Sequence, residues 1–222
     1  IGNSYSLFVP RLVDTLLGSL IAGLAVFLIL PDWQGRRLGR MLAGTLSCNS
    51  AYLRQIIAQY AHGKRDDLGY RLARRNAHNA DAALSTTLAN MLMEPGHFRK
   101  EADVGFRFLV LSHTLLSYLS GLGAHRETQL PGEVREHLID GAGVSLAASI
   151  DEIAQGLANK TPIAIQSDAE EALANELEQM PDEIDEGQRL VQTQLALICR
   201  QLGPLRTLAA HLIKDTSDDA KS

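Results

Sequence analysis

The chain has 222 residues, 45% of them hydrophobic, only 5% aromatic and 21% charged, with 21 Lys and Arg against 26 Asp and Glu. That length and balance give room for one or two domains with a sizeable core, and they exclude a disordered segment, a collagen-like repeat and a small disulfide-stapled domain. A net charge of −5 argues against a general nucleic-acid binder, and two distant cysteines without ligand-like spacing, Cys48 and Cys199, suit a reducing compartment. The chain opens on Ile1 and not Met, so it is expected to be a piece of a longer protein. Charge is unevenly spread. Residues 1–30 sum to zero, 31–100 carry +6, 101–130 carry −1 and 131–222 carry −10. A basic half beside an apolar segment and an acidic distal half describe a molecule with one end facing something anionic.

The first element is apolar. Residues 16–30 read LLGSLIAGLAVFLIL without a charge, and extending back over Arg11, Val13 and Asp14 gives roughly 20 residues, about the length a bilayer core requires of a helix. Pro31, Asp32 and Trp33 come next, then Arg36, Arg37 and Arg40, an inside-positive flank that predicts a cytoplasmic C-terminal side with those arginines near lipid. Residues 1–33 are therefore expected to be a transmembrane helix, the last of a membrane domain; a soluble core helix is the alternative. Gly18 and Gly23, with Ser19 and Ala22, form small-xxx-small pairs that suit close helix approach in lipid or merely reflect membrane-helix composition. Arg11 and Asp14 can share a helix face and either reach the interface or line a polar path.

Residues 34–215 are expected to form a cytoplasmic all-α bundle, with 216–222 a frayed tail. Leu38, Leu42, Thr45, Leu53, Ile56 and Tyr60 mark one long helix ending near His62-Gly63. Leu68, Leu72, Ala80, Leu84, Leu88 and Met91 mark a second, stopped by Pro95-Gly96. A third, about 98–122, is strongly apolar but carries Arg107 and a polar stripe of His113, Ser117 and Ser120, which predicts the most buried helix of the bundle and not a second span. Leu146, Ile150, Ile153 and Leu157 give a fourth. Ser167-Asp168-Ala169-Glu170 fits a capping box that opens an acidic helix with Leu173, Leu177 and Met180 inward. The last helix alternates four and three through Val191, Leu195, Ile198, Leu202, Leu205, Ala209 and Leu212, with a kink expected at Gly203-Pro204.

No pattern for chemistry stands out. The seven histidines form no H-E-x-x-H or Cys/His cluster, and there is no G-x-S-x-G, Walker loop or Gly-rich strand–turn–helix unit. No catalytic residue, metal or cofactor is expected, and the chain is read as not an enzyme. The densest polar constellation is Tyr70, Arg71, Arg74, Arg75, His78, Asn79 and Asp81. On a helix these residues gather toward one side, which suits an interhelical polar face or contact with an anion, lipid or substrate. The expected role is structural, with Arg74 held at a helix junction and Asp81 its nearest carboxylate in sequence.

The string PRLVDTLLGSLIAGLAVFLILPDW, a long helix holding Asn49 and Tyr52, and then YRLARRNAHNADAALS resemble the fusaric-acid-resistance-like (FUSC) membrane protein family, in particular its YccS/YhfK-type bacterial inner-membrane branch. The resemblance is strongest over about residues 10–95. It implies two multi-span membrane halves with cytoplasmic helical domains, of which this chain would be the end of the second half and its C-terminal domain. It also implies export or permeation of organic anions, aromatic acids among them, with Arg11 and Asp14 the residues here that could contribute to the pathway. The expected partners are the N-terminal membrane portion of the same protein, phospholipid, a second copy in a homo-oligomer and a small organic anion, with no nucleic acid. Three readings are open: a transporter-like inner-membrane protein whose bundle serves assembly or gating, a membrane-anchored interaction or regulatory module, and a soluble helical enzyme.

Overall fold

A computed structural model describes residues 4–29, 34–63, 67–92, 99–179 and 184–219, with side chains described over 10–25, 38–63, 67–92, 103–179 and 184–214. The described residues are helical apart from short connections. The helices are α1 (Ser4–Ile29), α2 (Gln34–His62), α3 (Leu68–Leu92), α4 (Arg99–Ala124), α5 (Gly132–Arg135), α6 (Val144–Asn159), α7 (Asp168–Glu178) and α8 (Glu186–Asp219). The chain divides into two compact units, Ile1–Arg37 and Leu38–Ser222.

The first unit is dominated by α1. Its described large apolar side chains, from Leu12 and Val13 through Leu24, are all at least half exposed within the chain. The transmembrane helix expected over 1–33 is not borne out as a complete span: among the described residues no helix is long and apolar enough to cross a membrane. The physical reason lies in length. Within α1 the uncharged apolar stretch begins only after Asp14 and the helix ends at Ile29, short of the roughly 20 apolar residues a bilayer core requires. The side chains of 26–29 and the whole of 30–33, including the expected interface residue Trp33, lie outside the described residues.

The second unit is the bundle, and its helices arise from apolar periodicity. On α2 the buried residues Leu38, Leu42, Leu46, Leu53, Ile56 and Tyr60 recur at helical spacing. The helix stops where Gly63 takes a positive φ of 77° that a side chain would disfavour. On α3 the buried line is Tyr70, Ala77, Leu84, Leu88 and Met91. Leu72, expected on the inner face, is instead exposed, and Leu68 is exposed as well. α3 packs on α4, α4 on α8, and α8 on α6 and α7. α2 is tied to α4 by Asn49 Nδ2 donating to Ser112 Oγ at 3.3 Å and by Tyr60 to the Leu122 carbonyl at 3.0 Å. It is tied to α6 by Ser50 donating to the Ala147 carbonyl at 3.0 Å. Side chains of Leu38 and Leu88 both lie against Gly105, and Tyr52 meets Tyr70, so α2 and α3 run antiparallel.

Two local features depart from the sequence expectation. α4 is not the most buried helix: His113 and Ser117 face solvent together with Arg107 and Val110, and α2 buries more of its described length. Between α5 and α6 the chain forms a π-helical segment over Glu136–Gly143, where the wider turn displaces the 3.6-residue period and hides the helix from pattern reading. Gly143 there admits Ile57 of α2, whose Cγ1 would lie 3.2 Å from an added Cβ. The helix α8 runs unbroken through Pro204, and Thr207 Oγ1 donates back to the Gly203 carbonyl at 3.0 Å. Its seam is as expected, with Val191, Leu195, Ile198, Leu202, Leu205 and Ala209 buried. α8 extends to Asp219, while residues 220–222 of the expected tail lie outside the described residues.

Candidate functional site

The polar constellation on α3 splits into an inner and an outer part. Tyr70 is buried, and Asp81 is nearly so, with its carboxylate 13% exposed. Arg71, Arg74, Arg75, His78 and Asn79 all lie on the solvent side. The expected Arg74–Asp81 partnership does not form. Asp81 turns toward α4 and its Oδ2 lies 2.9 Å from Nδ1 of His113, while no carboxylate pairs with Arg74 among the described residues. Distance along the helix explains this: two turns, about 10 Å, separate Arg74 from Asp81 on the same side of α3, whereas His113 of α4 lies within hydrogen-bond reach of Asp81.

Tyr70 belongs to a second cluster, built at the end of α4. The last carbonyls of a helix lack intrahelical donors, and here they are supplied from three directions. Tyr60 donates to Leu122 O at 3.0 Å, Arg126 Nη1 to Gly123 O at 2.8 Å, and Tyr70 to the same carbonyl at 3.4 Å. Tyr52 shares a 3.3 Å hydrogen bond with the Tyr70 hydroxyl, and the Arg126 guanidinium lies 4.6 Å from the Tyr70 ring centroid. Gly123 makes this convergence sterically feasible, since a Cβ there would sit 2.8 Å from the Tyr70 hydroxyl and 2.9 Å from that of Tyr52. Burial pushes the Tyr52 and Tyr60 phenols well above their ordinary range, so both stay neutral donors. This cluster caps the C-terminal end of α4.

The strongest electrostatic feature was not legible as a motif. Arg206 of α8 is 2% exposed and holds two carboxylates. Its Nε and Nη2 reach Glu170 of α7 at 2.9 and 2.6 Å, and its Nη1 and Nη2 reach Glu152 of α6 at 3.2 and 2.7 Å. Burial works against the guanidinium charge, but these bonds outweigh it and hold Arg206 above its ordinary range. The hydrogen bonds from Arg206 hold the Glu152 carboxyl below its ordinary value. Glu170 is thereby withdrawn from the expected capping box: Ser167 accepts from the Glu170 backbone N–H at 3.4 Å, but the Glu170 side chain goes to Arg206. The available signal was one arginine set among Leu202, Leu205 and Ala209 on an otherwise apolar seam.

Beside the triad, a shallow groove of about 240 Å³ lies between α7 and α8, lined by Ile165, Ser167, Glu170, Cys199, Gly203 and Thr207 among others. The Cys199 thiol donates to the Glu170 carbonyl at 3.2 Å, and burial, then the nearby Glu170 charge, push its pKa to about 11. It is a poor nucleophile at neutral pH. Both cysteines are free thiols. Among the described residues no group of three or more His, Cys, Asp or Glu could hold a metal ion.

In α1, Arg11 and Asp14 are exposed, and no ion pair joins them among the described residues. A Cβ added at Gly18 or Gly23 would meet nothing within 4 Å, so the small-residue face is open. The side chains of Arg36 and Arg37 lie outside the described residues; Arg40 is exposed.

No protein-family model and no solved structure matches the chain. It is 44% identical over 140 residues to the inner membrane protein YccS of Escherichia coli, covering 63% of this chain and 20% of that protein. It is 49% identical over 118 residues to an uncharacterized protein of Haemophilus influenzae, covering 53% of this chain and 16% of the relative. An uncharacterized protein of Neisseria gonorrhoeae, ORF2, is 34% identical over 120 residues, or 54% of this chain and 29% of the relative. The chain is thus similar, over most of its length, to part of an inner membrane protein, and it spans about a fifth of that protein.

Proposed function

We propose that this chain is the C-terminal portion of a multi-span, FUSC-type inner-membrane protein that moves organic acids, aromatic ones among them. In this reading its helical bundle lies on the cytoplasmic side and serves assembly or gating. The observation that carries the proposal is α1. A helix whose described leucines, Leu12, Leu16, Leu17, Leu20 and Leu24, are all at least half exposed is stable only when an apolar phase or other apolar helices cover it. The similarity to an inner membrane protein supplies such surroundings. In the whole protein, α1 with residues 26–30 would pack with the preceding membrane helices through Gly18 and Gly23, and Arg11 and Asp14 would lie at the mouth of the pathway. Arg36, Arg37 and Arg40 would face the anionic leaflet.

Carbonate extraction of membranes carrying the whole protein, with and without residues 12–30, tests the membrane part. Retention that depends on those residues is the expected result, and release of the intact protein sinks it. Cysteine-labelling of the bundle from either side of the membrane tests the orientation. Loss of aromatic-acid efflux on deleting the gene for the whole protein tests transport. A second reading, a membrane-anchored interaction module without transport, is favoured by the separately charged outer helices α3 and α7, which form the kind of surface that binds a protein.

A further inference from the structure

α3 and α7 are the two outer helices of the packing series α3, α4, α8, α7, and they carry opposite charge. On α3, Arg71, Arg74, Arg75 and His78 stand at i, i+3, i+4 and i+7, which places them on one ridge, and all four are exposed. Asp81, the one acid of that helix, is turned away onto His113. On α7, Asp168, Glu171 and Glu178 stand at i, i+3 and i+10 on one ridge, all exposed, and the helix has no basic residue. Arg200 takes up Glu178 through two 2.7 Å hydrogen bonds, leaving Asp168 and Glu171 as the open end of that ridge. α4 and α8 stand between the two ridges, so neither can neutralise the other within one molecule.

We infer that the basic ridge of α3 docks on the acidic ridge of α7 of a second copy of this chain. The inference deepens the assembly reading above and rests on it for its setting. Charge complementarity selects the partner, since every copy presents both surfaces, and such a heterologous contact joins copies head to tail or closes a symmetric pair when made twice. Position argues against a membrane surface as the occupant. The chain enters the bundle at Leu38, which lies beside Leu88 of α3, whereas the basic ridge begins next to Tyr70 at the other end of the α2–α3 hairpin. Arg40, and in sequence Arg36 and Arg37, are the bases at the entry end.

The association is weak and ionic, so salt exposes it. The test is sedimentation velocity of the whole chain in detergent at about 0.05 M and about 0.5 M NaCl. Variants are Arg74→Glu/Arg75→Glu, Asp168→Lys/Glu171→Lys and the milder Asp168→Asn/Glu171→Gln, each checked for helix content by circular dichroism. The expected result is self-association at low salt that falls roughly tenfold or more at high salt and in each charge-reversed variant alone. An equimolar mixture of the two reversed variants should restore it, because the acidic α3 of one matches the basic α7 of the other and the two remaining ridges are native and complementary; a chain carrying all four reversals should also associate, because its ridges match again with signs exchanged. Salt-independent association, or none, overturns the inference. So does a quadruple variant that folds and stays monomeric. Loss of binding to phosphatidylserine vesicles in the α3 variant, with a monomeric parent chain, assigns the ridge to lipid and also overturns it. Carbonate release would sink the membrane reading while leaving this salt dependence readable, so the two failures are distinct.

Discussion

Truncating Arg206 would strand Glu170, which is 8% exposed and takes both its carboxylate oxygens' hydrogen bonds from that guanidinium. Leaving a buried charge unpaired costs about 3–5 kcal/mol. Arg206→Ala is therefore expected to lower bundle stability by that amount in urea titrations followed by circular dichroism. Arg206→Met combined with Glu170→Leu should recover most of it, because an apolar replacement of both partners removes the desolvation cost as well as the bond. The pH sign is set by Glu152, whose carboxyl is held below its ordinary value of 4.5. Its contribution is present above that value and fades as pH falls through the lowered one. Its side chain is 60% exposed, so solvent screening keeps the effect small. Lys160 offers a test of opposite sign. It caps α6 in the left-handed region at φ 55°, where its Cβ is strained, while the Thr161 N–H bonds the Gly156 carbonyl at 3.0 Å. Lys160→Gly should raise stability by about 1 kcal/mol in thermal melts.

At the scale of elements, α8 is the axis, touching α4, α6 and α7, and it carries a proline inside its length. Pro204 has no N–H to offer the Arg200 carbonyl and its exposed side chain adds little packing. Pro204→Ala is expected to stabilise the bundle by about 1–3 kcal/mol, partly offset by the freer unfolded chain; a melting temperature at or below that of the parent would refute this. The seam of α8 was legible in sequence because Val191 to Ala209 repeats within one helix, and the end of α2 because Gly63 comes directly after it. The π-helical turn over Glu136–Gly143 was not, since its i→i+5 bonding shifts Leu138, Ile139 and Ala142 off the 3.6-residue register. The outward turn of Leu72 was also illegible, because α3's burial is set by which side α4 and α2 cover.

For the whole molecule, the division at Arg37/Leu38 separates an exposed apolar helix from a cored bundle. The two should answer differently to the same kind of change. Leu20→Arg places a charge in the middle of α1, where a bilayer setting penalises it by about 2.5–3.5 kcal/mol. Membrane retention is expected to drop while the bundle's melting transition stays within measurement error. A shift in that transition would show that α1 belongs to the bundle's core. At this scale the sequence similarity to an inner membrane protein and the exposure of Leu16, Leu17 and Leu20 point the same way.

By itself the sequence determined that the chain is helical, where α2, α6 and α8 put their apolar faces, and that residues 16–30 differ in kind from the remainder of the chain. These are local properties: spacing along one helix, a glycine or proline at its end, a run without charge. Only the tertiary structure decided who pairs with whom. Asp81 takes His113 and leaves Arg74 in solvent, and Glu170 leaves its own cap for an arginine 36 positions away. A charged side chain's partner depends on which helices meet and at what rotation, and that information is carried by the packed core and not by the spacing of the charges.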